Sequence, residues 1–315
     1  MSYGNVLITG GAGFVGSQLI AGLLPKADHI YVIDDLSTGN ILSIPSSDKI
    51  SFYQTSIIDE ETLNTVLPKV DYIFHLACRN LLLSVEDMEA DFHTNLYGGF
   101  LLLQKTKELN PNIKRFIYTS TASVYNNADI LPTPEHYYNI SLPYAASKFS
   151  MEHYCHVYQS ISQLPVTILR LSNLYGPGQL AANPYCGVVA KFFDSAMKKQ
   201  PLVIYGDGEQ TRDFTYIKDG IQAILLAATH PAAVGNVYNV GTGKETKISL
   251  LAELIMDVTK ESTEIHFAPE RMIDTVRNRC LDAGKIESEL NWEPQFSLRE
   301  GLTKTHHWIT EGVSG

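Results

Sequence analysis

Short apolar runs alternate with amphipathic stretches through the first 171 residues, and this rhythm constrains the fold more than any other feature. The runs are rich in Val, Ile, Phe and Tyr and mostly lack polar alternation, which is typical of strands covered on both faces. They are predicted strands at residues 5–9, 30–34, 50–54, 72–77, 115–120 and 166–171. Predicted helices at 14–24, 85–109 and 144–161 lie between them. Repeated strand–helix–strand units predict an α/β fold with a doubly wound parallel sheet.

The rhythm changes after Arg170. A long loop rich in Gly, Pro and Asn is predicted at 175–187, followed by a helix at about 187–199 and a strand at 202–206. We expect residues 214–229 and 236–241 to return to the sheet, and residues 249–315 to add helices around a strand at 263–268. This pattern predicts two domains, a first one from residues 1–175 and 213–242 and a smaller, discontinuous α/β domain from residues 176–212 and 243–315.

Composition restricts the partners. The net charge of −10 argues against a nucleic-acid or anionic-membrane partner, since both require clustered Lys and Arg. No apolar run approaches the ~20 residues that span a bilayer, so a cytoplasmic protein is expected. The four cysteines are far apart and indicate neither a disulfide framework nor a zinc site; they are Cys78, Cys155, Cys186 and Cys280. No metal site is expected.

A glycine motif follows the first predicted strand. Gly10, Gly13 and Gly16 stand three residues apart in ITGGAGFVG, at the start of a predicted helix. That setting is the one a dinucleotide site requires, because the turn lets the backbone approach a pyrophosphate and the helix N-terminus offers free N–H groups. The motif alone is weak in a chain with 22 glycines. Its context indicates a Rossmann-type nucleotide domain.

An acid supports that interpretation. Asp34 ends the second predicted strand, about twenty residues after the glycines, where a carboxylate accepts hydrogen bonds from ribose hydroxyls. A carboxylate repels a 2′-phosphate, and no Arg follows Asp34 and Asp35 closely. The sequence therefore favours NAD over NADP. The alternative is an ordinary solvated Asp at a strand end.

Tyr144 and Lys148 stand four residues apart early in a predicted helix and so share one face. An ammonium near a phenol stabilises the phenolate and lowers the Tyr pKa from ~10 toward neutrality. TSTASVY, residues 119–125, places hydroxyls at the end of the fifth strand, at the edge where open α/β sheets bind ligands. Thr121 could there hydrogen-bond a substrate oxygen beside Tyr144, or alternatively cap the strand end.

Other catalytic arrangements are weaker. The ten His show no metal-binding spacing, and His75 is interpreted as a core residue rather than a base. The sequence lacks a G-x-S-x-G elbow and a G-x-x-x-x-G-K-[ST] loop, which argues against a serine hydrolase and a P-loop NTPase.

With TGGAGFVG, VIDDLSTG, HLA, TSTASVY, Y-x-x-x-K and LRLSNLYGPG in this order, the chain closely resembles the extended short-chain dehydrogenase/reductase family. Within it, the match is to the NAD-dependent nucleotide-sugar epimerase/dehydratase branch. YGDGEQTRDFTYIKD and APERMIDTV belong to the same pattern, so the resemblance covers nearly the whole chain.

The resemblance implies cofactor contacts. The pyrophosphate would lie on Gly10, Gly13, Phe14 and Val15, and Asp34 would hold the adenosine ribose. Lys148 would bind the nicotinamide ribose and tune Tyr144. Further cofactor-binding positions are Gly16, Asp35, Ser37, Thr38, Gly39, Ser56, Ile57, Leu76, Ala77, Cys78, Asn95 and Thr119. The family usually has an acid that reaches the adenine; here Ser56 takes its place and Asp59 follows, so either residue could make that contact.

The resemblance also implies a nucleotide-sugar substrate. Tyr144 would be the base and Thr121 would hold the sugar hydroxyl, with Ser84 nearby. The nucleoside diphosphate would be held by Asn173, Tyr205, Arg212, Arg271 and Asp274, the Arg forks suiting phosphate oxygens. The alternative for Arg212 and Arg271 is ordinary surface salt bridges. Arg279 or Cys280 could gate substrate size. Asn126 replaces a family glycine, and RNLLLS at 79–84 is unusual, so contacts there are not transferred.

The residues after Thr121 decide between reactions. Dehydratases of this branch carry an Asp-Glu pair there and decarboxylases a Glu, whereas this chain has Ala122 and Ser123, which cannot do acid–base work. GDP-fucose-type enzymes add a Cys and a His, and no Cys lies in 119–125. The resemblance therefore favours NAD-dependent 4-epimerisation of a UDP-sugar through a 4-keto intermediate, with UDP-glucose, UDP-GlcNAc or UDP-glucuronate as candidate substrates.

Two alternatives stay open. One is another nucleotide-sugar enzyme such as a decarboxylase or a dehydratase. The other is a non-catalytic NAD(H)-binding regulatory protein on the same fold. Apolar positions beyond one core face on the helices at 85–109 and 144–161 predict a homodimer, because helices at these places pair across a dimer axis in this family.

Overall fold

The computed structural model of the protein describes residues 2–271, 273–274 and 276–311. Its strands, in chain order, are β1 Gly4–Thr9, β2 Ala27–Ile33, β3 Ile50–Tyr53, β4 Tyr72–His75, β5 Arg115–Thr121, β6 Val166–Leu171, β7 Asn173–Tyr175, β8 Leu202–Tyr205, β9 Thr211–Arg212, β10 Phe214–Tyr216, β11 Val237–Val240, β12 Thr246–Lys247 and β13 Ile265–Ala268. The six strands predicted before residue 171 are confirmed, with ends shifted by three residues or fewer.

The helices are α1 Phe14–Leu23, α2 Glu60–Val66, α3 Leu81–Glu86, α4 Met88–Asp91, α5 Gly99–Leu109, α6 Pro143–Ser162, α7 Val188–Met197, α8 Ile217–Thr229, α9 Ile248–Thr259, α10 Gly284–Leu290 and α11 Leu298–Thr310. The prediction of one continuous helix at 85–109 is wrong, because the stretch is divided into several helical segments. It breaks at Asp87, whose carboxylate accepts from the Ala90 N–H and starts a new helix, and Phe92–Gly98 is a π-helical segment.

Seven strands form one parallel sheet in the order β11-β6-β5-β4-β1-β2-β3. Chain order reverses between β1 and β4, and open α/β sheets bind ligands in the crevice at the carboxyl ends of strands flanking such a point. The predicted return of residues 236–241 to the sheet is confirmed by β11. The prediction for residues 214–229 is wrong, since β10 pairs with β7 in a separate small sheet and the rest is α8.

Helices cover both faces of the sheet. On one face α1 packs against α8, and residues such as Ile20 and Ile224 join the buried apolar cluster there. On the other face α5 and α6 pack together, with Leu102 and Met151 in a second buried cluster. Burial on both faces explains why the strand sequences are continuously apolar.

Two strand pairs connect the segment before α8 with the segment after β11. β8 runs parallel to β13, and β9 runs antiparallel to β12. Helices α7 and α9 pack against each other beside them. These contacts bring residues 202–212 beside residues 246–268. Within the described ranges, no helix is both long and apolar enough to cross a membrane.

Candidate active site

The glycine turn after β1 leaves no space for a side chain at Gly10 or Gly16. Gly10 has φ +72, and a Cβ there would lie 2.6 Å from the Ala77 nitrogen. A Cβ on Gly16 would overlap the Gly10 carbonyl. Gly13 is the N-cap of α1 and has no side chain to accept from the first N–H groups of the helix, including those of Phe14 and Val15. The turn therefore offers N–H groups and a positive helix end to an anion.

Asp34 follows β2 at the same edge. Its carboxylate accepts from the backbone N–H groups of Ala12 and Leu36, each at 2.9 Å, and its side chain is 9% exposed. Burial raises the pKa of Asp34, and these two hydrogen bonds oppose the shift. An ionised carboxylate has about four acceptor positions, so two stay available for the hydroxyls of a ribose.

The loop after Asp34 folds back over the glycine turn. Asp35 accepts from the Ser37 N–H at 2.9 Å, and a Cβ on Gly39 would lie 2.9 Å from the Ala12 side chain. The Thr38 carbonyl accepts from the Asn183 side chain at 3.2 Å. Together these contacts place residues 35–39 beside the carboxylate of Asp34.

Ser56 and Asp59, the two candidates for the adenine contact, differ in their environment. Asp59 accepts from the Thr62 hydroxyl at 2.5 Å and from the Thr55 hydroxyl at 3.3 Å, and the hydrogen bond from Thr62 is the largest cause that lowers its pKa. Ser56 is exposed, and the neighbouring Ile57 is buried. The carboxylate of Asp59 is thus engaged at the start of α2, whereas Ser56 faces solvent.

The end of β4 is tied to its neighbours by short hydrogen bonds. Leu76 and Ala77 donate backbone N–H groups to the carbonyl and hydroxyl of Thr9, at 3.1 and 3.3 Å. Thr119 donates its hydroxyl to the carbonyl of His75 at 3.0 Å. His75 is buried and burial lowers its pKa to about 3, with a further contribution from the Lys148 charge, so its interpretation as a core residue is confirmed.

Asn95 supports the loop after β4. Its amide brackets the backbone of Arg79, accepting from the N–H at 2.7 Å and donating to the carbonyl at 3.0 Å, and it also donates to Asp91 at 2.5 Å. Asp91 is 2% exposed, and burial raises its pKa against the opposing effects of Ser147, Asn95 and Lys148. The sequence analysis did not identify Asp91, because its contacts come from two different helices.

Tyr144 stands at the start of α6 and meets the end of β5. The Thr121 hydroxyl and the Cys78 thiol both lie near enough to shift the pKa of Tyr144, Thr121 lowering it and Cys78 raising it. Burial is the largest cause and raises this pKa well above 10. The prediction of a lowered pKa is therefore wrong for the protein alone, because burial disfavours the phenolate more than its neighbours stabilise it. The structure also brings a thiol to Tyr144 from outside residues 119–125.

Lys148 lies one turn further along α6. It is 2% exposed, and its Nζ atom lies 4.4 Å from the centre of the Tyr118 ring. Burial lowers its pKa. Among the described residues, no carboxylate lies within ion-pair distance of Nζ. A buried ammonium without an acceptor is costly, which fits a group that acquires its partners from a bound ligand.

Behind these residues lies a buried ion pair that the sequence analysis missed. Glu152, a further turn along α6, binds the Arg170 guanidinium at 2.7 Å, and the two side chains are 2% and 4% exposed. Glu152 also accepts from the Ser120 hydroxyl at 2.5 Å. The pair ties α6 to β6, and the Ser120 hydroxyl ties it to β5, the strand that ends at Thr121. Its sequence signal is the i, i+4, i+8 spacing of Tyr144, Lys148 and Glu152.

Residues 205–274 supply candidates for binding the substrate diphosphate. Arg271 binds Asp274 through two hydrogen bonds of 2.7 and 2.8 Å, and its guanidinium lies 4.6 Å from the centre of the Tyr205 ring. Arg212 donates to the carbonyls of Thr211 and Arg277, and burial lowers its pKa. Arg271 thus forms an ordinary salt bridge in the structure, which was the alternative to a substrate contact. Arg212 has no carboxylate partner among the described residues.

Two predicted substrate contacts have less support from the structure. Ser84 is fully buried and donates its hydroxyl to the Leu81 carbonyl at 2.7 Å, within its own helix. Asn173 is half-buried in β7, and its backbone N–H donates to the carbonyl of Asp213 at 3.0 Å. The size-gate candidates Arg279 and Cys280 are both buried.

These features define a class of protein. A doubly wound parallel sheet presents a glycine turn, a ribose-binding carboxylate and a Tyr–Lys pair at one edge, around the point where chain order reverses. The arrangement is that of a dinucleotide-dependent enzyme. NAD fits the residues present, since the turn has no space for a Cβ at Gly10 and Gly16 and Asp34 would repel a 2′-phosphate. The buried Lys148 also lacks an acceptor among the described residues.

Comparison with known proteins identifies the family. The model of the NAD dependent epimerase/dehydratase family matches residues 6–241. A UDP-glucose 4-epimerase of Mycolicibacterium smegmatis is 34% identical over 96% of this chain and 97% of its own length. A UDP-N-acetyl-alpha-D-glucosaminuronate decarboxylase of Bacillus cytotoxicus is 31% identical, covering 97% of each chain. The solved structure of a UDP-glucose 4-epimerase with UDP-glucose from Thermotoga maritima superposes with a TM-score of 0.91 at 35% identity, over 98% of this chain and 99% of that one.

The chain therefore belongs to the NAD dependent epimerase/dehydratase family, as its resemblance to the extended short-chain dehydrogenase/reductases implies. It is an enzyme of that family, and its cofactor is NAD. Epimerases and decarboxylases are similarly distant relatives, so family membership leaves the reaction and the sugar to the geometry of the site.

Proposed function

We propose that this protein catalyses the NAD-dependent 4-epimerisation of a UDP-sugar through a transient 4-keto intermediate. UDP-glucose, UDP-GlcNAc and UDP-glucuronate are the candidate substrates. The observation that carries the proposal is the turn after Thr121. Ala122 and Ser123 are 2% and 6% exposed there, and the Ser123 N–H donates to the Thr121 hydroxyl at 3.0 Å. The turn thus provides no acid that could expel a 6-hydroxyl or assist a decarboxylation.

In this proposal Tyr144 exchanges a proton with the sugar 4-hydroxyl, and Thr121 holds the same oxygen. To accept the proton of the sugar 4-hydroxyl, Tyr144 must first be a phenolate. Because burial disfavours the phenolate, the reaction requires positive charge near Tyr144. Lys148, on the same helix face, supplies an ammonium. When bound, NAD supplies the position that accepts the hydride and then returns it. Rotation of the keto sugar between the two transfers inverts C4.

The cofactor contacts are proposed on the geometry described above. The N–H groups of the turn from Gly10 to Gly16 would bind the pyrophosphate and Asp34 the adenosine ribose. Ser56 is the better candidate for the adenine contact, because the carboxylate of Asp59 is engaged by two threonines. Arg212 would bind the substrate diphosphate, and Arg271 would do so after exchanging Asp274 for phosphate oxygens.

Asp91 and Cys78 support the alternative reactions. Both side chains affect the pKa of Tyr144, so a decarboxylase or dehydratase would use one of them as its additional acid or base. Asp91 is 2% exposed and bound by Asn95, which favours a supporting role. Asp91→Asn and Cys78→Ser separate the possibilities: in a 4-epimerase, both variants should still form the 4-epimer.

The experiment is to incubate the purified protein and NAD with UDP-glucose, UDP-GlcNAc and UDP-glucuronate and to follow the products by NMR. A 4-epimer with no net change in NAD is expected. Release of CO2 or of a 4-keto-6-deoxy sugar, with no epimer formed, would refute the proposal. Binding of NAD without turnover of any sugar would support the regulatory alternative.

We also propose that the protein is a homodimer and that NAD and the nucleotide sugar are bound by different parts of the chain. Apolar side chains stay exposed along α3–α6, among them Phe92 at 51% and Ile161 at 78%, which supports pairing through these helices. Residues 1–175 and 213–242 would bind NAD, and residues 176–212 and 243–315 the nucleotide sugar. A cytoplasmic location stays part of this proposal.

A further inference from the structure

Arg279 carries a buried guanidinium for which the described residues provide no partner. Its side chain is 8% exposed, and its Nε atom is buried with no hydrogen-bond acceptor. Among the described residues it forms no hydrogen bond or ion pair through its side chain. A guanidinium carries five donors and remains charged, so burying it without acceptors is costly. The cost points to a bound anion that supplies the acceptors.

The backbone around Arg279 is held on both sides. The Arg277 carbonyl accepts from the Thr211 N–H at 3.0 Å, and the Cys280 carbonyl accepts from the Thr133 N–H at 2.8 Å. Leu281 donates its N–H to the buried carboxylate of Asp213 at 3.2 Å. Arg279 therefore projects from a fixed segment rather than from a loose surface loop, as a binding residue requires.

Arg279 lies at the reacting end of the site. Its pKa is lowered to about 9 by burial and by the charge of Arg212, and Tyr144 opposes the shift. Arg271, in contrast, responds to Asp274 and Tyr205. The charge of Arg279 is thus linked to the Tyr144 hydroxyl, where the sugar would react, whereas that of Arg271 is linked to other groups.

Arg79 provides a second, independent observation at the same end. Its Nε atom is also buried without a hydrogen-bond partner, and the described residues give its side chain no ion pair. It directly follows Cys78, whose thiol reaches Tyr144. The charge of Arg79 acts on Asp91, and Asp91 in turn acts on Tyr144, so a second guanidinium with an unpartnered Nε contributes positive charge at this end.

We propose that the sugar of the substrate carries a carboxylate, as a hexuronic acid does, and that Arg279 is the residue that binds it, with Arg79 adding positive charge. The inference rests on the proposed function, since it assumes a nucleotide sugar whose sugar meets Tyr144. A carboxylate matches the planar fork of Arg with two charge-assisted hydrogen bonds. A neutral hydroxymethyl group would leave the buried charge uncompensated, so it is discriminated against.

The test measures the ratio of kcat/KM for UDP-glucuronate to kcat/KM for UDP-glucose in the NAD-loaded enzyme. The wild-type ratio is expected to be about 100, and Arg279→Gln should lower it roughly 100-fold, the size expected for hydrogen bonds to a charged group. Arg279→Lys keeps the charge but not the planar guanidinium, so its ratio should lie between those of the wild type and Arg279→Gln. Arg277→Gln is the matched control, since Arg277 is exposed and paired with Asp207, and it should leave the ratio unchanged.

The outcomes separate this inference from the proposed function. A wild-type preference for UDP-glucose, or an equal loss for both substrates in Arg279→Gln, overturns the carboxylate site while epimerisation stands. Calorimetric titration of the wild-type holoenzyme with both nucleotide sugars gives a second readout that needs no variant, and tighter binding of UDP-glucuronate is expected. If UDP-glucuronate is preferred but loses CO2, the carboxylate site holds and the 4-epimerase proposal fails.

Discussion

Replacing Arg170 by Met should destabilise the protein by about 3–5 kcal/mol, because it leaves a carboxylate buried without its cation. The guanidinium makes five hydrogen bonds of 3.3 Å or less: three to Glu152, one to the Tyr125 hydroxyl and one to the Glu135 carbonyl. In the variant, the described contacts leave Glu152 with the Ser120 hydroxyl as its hydrogen-bond donor. The unpaired charge, rather than lost packing, sets the magnitude.

The double variant Glu152→Leu, Arg170→Met separates the cost of the unpaired charge from the cost of lost packing. Since it removes both charges, it should be less destabilised than Arg170→Met alone, giving a favourable coupling energy in the double-mutant cycle. Arg299→Met is the matched control. Its partner Asp257 and Arg299 itself are 45% and 58% exposed, so the cost should stay within about 1 kcal/mol.

Urea unfolding of the wild type, of these three variants and of Glu152→Leu, which completes the cycle, measures these differences at pH 7.5, followed by circular dichroism with NAD held constant. Repeating the Arg170→Met measurement at pH 5.5 tests in which direction the loss of stability changes with pH. A buried carboxylate without its cation relieves its charge by binding a proton on folding, so the deficit should shrink as the pH falls. A loss below about 1 kcal/mol, or an equal loss in the double variant, would refute the reasoning.

Three further predictions address the site and the assembly. Gly16→Ala should weaken NAD binding and lower the unfolding temperature, because a Cβ there overlaps the preceding turn, whereas Gly22→Ala in the same helix should be nearly neutral; fluorescence titration with NADH and thermal unfolding measure both effects. Tyr144→Phe should lower kcat about 10²–10⁴-fold with NAD still bound, and activity unchanged by it would remove Tyr144 as the base. Ile161→Glu should give a monomer by light scattering if α6 lies in the dimer interface, and a wild-type monomer at micromolar concentration would contradict the dimer itself.

The main sheet was largely predictable because its signal is local. Six apolar runs and their spacing indicate parallel strands, and the glycines and Asp34 identify the edge that binds the dinucleotide. The helix at 85–109 was predicted too simply, because the Asp87 cap that divides it is a hydrogen bond rather than a hydropathy pattern. Strand β10 was misplaced because a strand of three residues does not show which neighbour it will pair with.

The site itself was predictable in its parts. Tyr144, Lys148 and Thr121 stand in recognisable motifs, and the structure brings them together. The direction of the Tyr144 pKa was not predictable, because desolvation depends on how tightly the surrounding segments close around the phenol. Asp91 and the Glu152–Arg170 pair escaped notice because their partners lie on other elements.

The sequence by itself determined the class of fold, the place of the dinucleotide site and the family, since these depend on periodicity and on short motifs. Tertiary structure alone decided which polar groups lie buried without partners. Arg279 stands 135 positions after Tyr144 and Arg79 stands 65 before it, and no pattern along the chain connects the three. Packing excludes water from the Nε atoms of both arginines, and a buried charge without acceptors is stabilised when a ligand supplies them.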